Sequence, residues 1–227
     1  MSGYGAPLPS TYTPARYAES RPLTTSRTEV LHILVAYTVL TFDIAIVTSA
    51  LQLFSFASGR FNTEAFLTAL PYAAVIALTG FLVHELAHKI TAQRLGFWSE
   101  FRASPVGLVV SVLTAIAGFL LAAPGATLIG GQGTVRDWGR SALAGPAVNL
   151  VEALVFLAAA FASVSAGASV GLSSLLFTFA FFDGWFAAFN LVPIGPLDGR
   201  KVLSWNPLIW GGTFAAAAIV TAVAFFI

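Results

Sequence analysis

The chain has 227 residues and a formal net charge of +1, with 57% hydrophobic and only 9% charged residues, against about 25% charged in an ordinary soluble domain. That is a membrane composition, long enough for one compact bundle, and its charge gives no reason to expect nucleic acid. There are no cysteines, so disulfides and thiolate metal sites are excluded, and any zinc must be held by imidazole and carboxylate.

Residues 1–28, "MSGYGAPLPSTYTPARYAESRPLTTSRT", are rich in Pro, Ser, Thr and Tyr and lack the apolar core of a cleaved signal peptide. They read as a flexible tail ahead of a single transmembrane domain over 29–227. A membrane-crossing helix needs about 20 mostly apolar residues, and segments near 30–54, 65–94, 142–164, 169–192 and 207–227 meet that length. A sixth segment, Val106 to Ala123, is bounded by Pro105 and Pro124 and is only just long enough. The fold class is therefore an all-α polytopic membrane protein with about six hydrophobic helical segments.

Orientation follows from Lys and Arg, which collect on the cytoplasmic side. Arg16, Arg21 and Arg27 precede the first span, and Lys89, Arg94 and Arg102 sit at the far end of the second, so the N-terminus and residues 84–88 are expected to face the cytoplasm. If Val106 to Ala123 crossed fully, Arg136, Arg140, Arg200 and Lys201 would all lie outside. If residues 105–135 enter and leave on one side, all four return to the cytoplasm. The stretch "APGATLIGGQGTV" has Gly and β-compatible residues in place of a helical pattern, and non-helical backbone at membrane depth is tolerated when buried in protein or lining a wet cavity. A short re-entrant or extended element near residues 124–135 is expected.

The second span contains His84-Glu85-Leu86-Ala87-His88. Histidines one helical turn apart project from the same face and can share one ion, while Glu85, offset by one residue, can reach water beside that ion and handle its proton. The pentapeptide recurs in unrelated proteins, but three ionisable groups in one turn of a membrane span are costly and hard to explain as packing. His32, at the start of the first span, reads as an interfacial anchor.

A zinc ion with two histidines needs a third protein ligand and an open position for water. The carboxylate candidates are Glu100, Glu152, Asp183, Asp43 and Asp198. Glu100 follows the helix too soon and pairs with Arg102; Asp43 lies at another depth; Glu152 and Asp183 read as buried links between helices. Asp198 is preferred because it lies in "NLVPIGPLDG", where Pro193 and Pro196 force the backbone out of helical geometry at the cytoplasmic end of a span.

His84-Glu85-x-x-His88 within a span, "AGPAVN" at 144–149, and Asn190-x-x-Pro193-x-x-x-x-Asp198-Gly199 in that order resemble the site-2 protease family of intramembrane zinc metalloproteases, across roughly residues 65–205. The resemblance implies one Zn²⁺ per chain held by His84, His88 and Asp198, with Glu85 activating water. It also implies transmembrane protein substrates within the lipid bilayer and Asn190 and Asn149 at the substrate backbone or oxyanion. A multi-pass protein of a prokaryotic plasma membrane is expected. The PDZ and CBS modules of many relatives do not fit in the loops here. A competing reading is a zinc-binding membrane protein without proteolytic activity, a transporter or a scaffold; a transporter should show paired repeats with broken helices, and no repeat is found. The limb "GATLIGGQG" is a candidate strand edge for an extended substrate.

Overall fold

A computed structural model describes residues 23–52, 62–121 and 124–227. Five helices in it are long and apolar enough to cross a membrane, over Arg27–Ser49, Thr63–Arg94, Val135–Ser165, Val170–Asn190 and Pro207–Phe226, close to the spans expected from hydropathy. The protein is an integral membrane protein.

The first helix, α1 (Arg27–Gln52), starts where the Ser26 hydroxyl accepts from the Glu29 N–H. The tail expected over residues 1–28 is thus shorter at its C-terminal end. Residues 1–22 lie outside the described residues, but Thr24 is bonded to the second span: its N–H donates to Gln93 Oε1 at 3.1 Å, and Gln93 Nε2 donates back to its carbonyl at 3.1 Å.

The second span, α2 (Thr63–Arg94), is capped by Asn62, whose side chain accepts from the Ala65 N–H. Its turn over Leu78–Val83 is a π-helix, and ordinary α-helix resumes at His84. Wide turns of this kind concentrate at functional sites, because they leave carbonyls for other donors and rotate the next turn of helix about its axis.

After α2 come β1 (Trp98–Ala103), α3 (Pro105–Ile116) and β2 (Gly125–Gly130). The strands pair antiparallel with Ala103 opposite Gly125 and Trp98 opposite Gly130. Because Ala103 and Gly125 are partners, the chain between them leaves and returns at one place. Twelve residues of α3 reach about 18 Å, short of the roughly 30 Å hydrocarbon thickness. The segment returns to the place it left, the same-side arrangement that the distribution of basic residues led us to expect. The limb beyond Pro124 is extended as expected, but its pairing with residues 98–103 was not foreseen, since "WSEFRA" has no clear two-residue alternation.

The remaining elements are α4 (Val135–Ser165), α5 (Val170–Asn190), a short α6 (Asp198–Trp205) and α7 (Pro207–Phe226). Thr134 and Asp137 cap α4 reciprocally. At the other end of α5, the carbonyl of Leu191 accepts from the Trp210 indole at 2.8 Å, which fixes the turn carrying Pro193 and Pro196. All the Lys and Arg among the described residues belong to the end of the bundle formed by the start of α1, the end of α2, the hairpin, the start of α4 and α6. The apolar core runs between α1, α2 and α5 through Leu40, Ile44, Ile76, Phe81, Phe182 and Phe186.

Candidate metal centre

Three side chains predicted as ligands converge at this end. His84 and His88 place their Nε2 atoms 2.9 Å apart, and Asp198 Oδ2 lies 3.6 Å from the first and 3.0 Å from the second. Tetrahedral zinc with ligand bonds of 2.0–2.2 Å separates its donors by about 3.3 Å, so this triangle has the size that such an ion requires.

Hydrogen bonding behind the imidazoles supports the same conclusion independently. His88 Nδ1 lies 2.7 Å from the Ser141 carbonyl, which can only accept, so Nδ1 carries the proton and Nε2 presents a lone pair. Asn149 donates its Nδ2 to the carbonyls of Thr79 and Gly80 at 3.3 and 3.2 Å, which turns Oδ1 toward His84 Nδ1 at 2.5 Å. His84 Nε2 is therefore an acceptor as well. Two lone pairs and a carboxylate face each other in a buried triangle, an arrangement that a cation reconciles.

Local sequence explains each placement. The π-turn supplies the Thr79 and Gly80 carbonyls that orient Asn149. Pro146 cannot donate to the Ala142 carbonyl, loosening α4 beside the Ser141 carbonyl that accepts from His88. Gly145 is required by close approach: a Cβ there would meet the Nε2 atoms of both histidines. Asp198 opens α6 directly after the proline turn, and Gly199 lets α6 pack on the Leu191 carbonyl, where a Cβ would clash.

Glu85 points to the other side of the histidines, where its Oε2 accepts from the Thr127 N–H at 2.9 Å and the Thr127 hydroxyl at 2.8 Å. A cavity of about 110 Å³ lies between Glu85, the ligands, β2 and the proline turn, with Asn190 and Lys201 on its wall. Lys201 approaches Asp198 Oδ1 at 3.7 Å, and Asn190 Nδ2 donates to the Phe186 carbonyl at 3.0 Å.

Asn149, expected at the substrate or oxyanion, lies instead behind His84, fully buried with both ends of its amide spent inside the protein. Of the carboxylates set aside, Glu100 pairs with Arg102 as expected, and His32 Nδ1 accepts from the Ala103 N–H at the end of β1. Asp43, Glu152 and Asp183 stay away from the centre. Sequence reasoning missed Thr127, Gly145 and Ser141. Gly145 was visible inside "AGPAVN", but Ser141 acts through its carbonyl and Thr127 through β-pairing, which leave no residue-type signal.

An integral membrane bundle with a buried His₂Asp donor set and a carboxylate beside it has the build of a membrane metallopeptidase. The chain is 38% identical over 162 residues to "Putative zinc metalloprotease MJ0611" of Methanocaldococcus jannaschii, covering 69% of this chain and 80% of that protein. It is also 31% identical over 131 residues to "Putative zinc metalloprotease Rip3" of Mycobacterium tuberculosis, a match taking in 57% of this chain and 29% of that longer protein. No family model and no solved structure matches. The chain belongs to the site-2 protease family of zinc metalloproteases.

Proposed function

We propose that this protein is an intramembrane zinc protease that hydrolyses peptide bonds in or near transmembrane helices of other membrane proteins, with its active site toward the cytoplasm of a prokaryotic cell. The observation that carries this reading is the convergence of His84, His88 and Asp198 with Glu85 on one small cavity.

His84, His88 and Asp198 would hold one zinc ion. When bound there, zinc polarises the scissile carbonyl and lowers the pKa of water to about 7. Glu85 takes the proton of the attacking water and returns it to the leaving amine. Asn149 and the Ser141 carbonyl keep both imidazoles in the tautomer that binds metal. Asn190 faces the cavity and is placed to contact the substrate backbone.

β2 supplies the surface for an unwound substrate. Phe101 donates its N–H to Glu29 Oε1 at 3.0 Å, so its partner Thr127 also directs its N–H away from the ladder. Gly125 and Ile129 therefore turn their backbone groups, and Thr127 its carbonyl, to an edge that lines the cavity, the Thr127 N–H being taken by Glu85. An extended peptide adds to such an edge through main-chain hydrogen bonds, which suits many sequences. A separate groove of about 1050 Å³ lies between α2 and α5, lined by Ile76, Phe182 and Trp185 and reaching Asn62 and Ala224 at the opposite end of the bundle, and offers room for the still-helical part of a substrate.

The test is to reconstitute wild-type and Glu85→Gln protein in liposomes with a membrane-protein extract and to compare released fragments by mass spectrometry. Glu85→Gln should keep one zinc per chain and lose about 10²- to 10⁴-fold in rate. Equal fragment release by both proteins defeats the proposal.

A further inference from the structure

We infer that Thr127, on the open edge of β2, is a positioning residue that sets the orientation of the base Glu85; this rests on the protease reading above.

Glu85 lies on α2, but among the described residues its carboxylate takes its hydrogen bonds from Thr127, 42 positions further along the chain. Both bonds fall on Oε2. Oε1 has no such partner, and it is absent from the buried polar atoms that are sealed from water. One oxygen is thus fixed by the strand, and the other is left toward the cavity, where water must lose its proton. A carboxylate held at one oxygen has far fewer orientations to lose before it can take a proton at the other.

Strand register decides that Thr127 can do this. A shift of one residue would aim the N–H facing Glu85 into the ladder and replace it with that of Ala126 or Leu128, whose side chains carry no hydroxyl. Register is held at two places. Gly125 fits over the Arg102 carbonyl and the Phe101 ring, where a Cβ would clash. Glu29 accepts the Phe101 N–H on one carboxylate oxygen and the Lys89 ammonium on the other, at 2.5 Å. Lys89 adjoins His88, so the hairpin and the ligand-bearing helix share one anchor, and the strand that orients the base cannot slide independently of the metal ligands. A substrate strand added to the β2 edge therefore docks beside the group that orients the base.

The experiment uses a synthetic peptide spanning a cut site from the fragment comparison, in proteoliposomes, with full-length protein. Thr127→Val keeps the N–H and the branched shape but loses the hydroxyl bond to a charged group, and should lower kcat about tenfold, with KM, zinc content and the unfolding midpoint unchanged. Thr127→Ser, which restores the hydroxyl, should return kcat to within about twofold of wild type. An unchanged kcat in Thr127→Val, an equal loss in both variants, or an effect confined to KM overturns the inference. If the wild type releases no fragment that Glu85→Gln fails to release, it is the protease reading itself that falls.

Discussion

Glu29 and Asp43 stand on the same helix, about 21 Å apart at 1.5 Å per residue, and both are buried almost completely. Glu29 is answered on both oxygens, by Lys89 and by the Phe101 N–H, and Lys89 is bonded further to the Thr25 hydroxyl at 2.8 Å. Asp43 faces Ser111 without reaching hydrogen-bond geometry, and neither of its oxygens has a partner. Asp183, beside Glu152 and Thr79, repeats the second pattern. At the metal end, then, buried charged groups fasten α1, α2 and the hairpin to one another; deeper in the bundle the carboxyls of Asp43 and Asp183 fasten nothing, and α1 and α2 are held chiefly by apolar packing of Leu40, Ile44 and Ile76. A buried charge contributes to geometry only where it is paired and hydrogen-bonded.

This contrast can be tested by a graded series of substitutions. The largest effect belongs to the ligands: His88→Ala or Asp198→Ala should abolish stoichiometric zinc, measured by elemental analysis, and cleavage with it. Next is Lys89→Met, which strands the Glu29 charge in a buried place and should cost about 3–5 kcal/mol of stability, read from denaturation in detergent. Adding Glu29→Gln to it should restore part of that loss, and no recovery would mean that the pair does not anchor the hairpin to α2. Asn149→Ala releases His84 without touching the metal directly and should weaken zinc binding about 10- to 100-fold, measured by competition with a chelator. The smallest effect is expected at Asp43→Asn, which exchanges one unpartnered group for another of the same shape and should change stability by less than about 1 kcal/mol. A loss at Asp43 as large as that at Lys89 would erase the distinction between the two regions.

Much of the site was legible because its chemistry is written in residue types. His84, Glu85 and His88 share one turn, so helical periodicity alone puts the imidazoles together. Asp198 could be preferred because two prolines announce a break in a helix at the right end of the bundle. Asn149 was legible as a motif residue but not in its role, since nothing in "AGPAVN" says that its amide faces a π-turn. The π-turn itself has no composition signal, and Thr127 acquires its importance only from a strand register fixed by Gly125 and Glu29.

The five apolar spans and the gathering of Lys and Arg at one end were legible in residue order alone, because burial in lipid and the distribution of basic residues depend on local composition. Tertiary packing set the distances of 3.6 and 3.0 Å from Asp198 to the two histidines, the groups behind the imidazoles and the strand that holds Glu85. Those contacts join residues far apart in the chain, and their selection rests on packing and strand register, which no local pattern encodes.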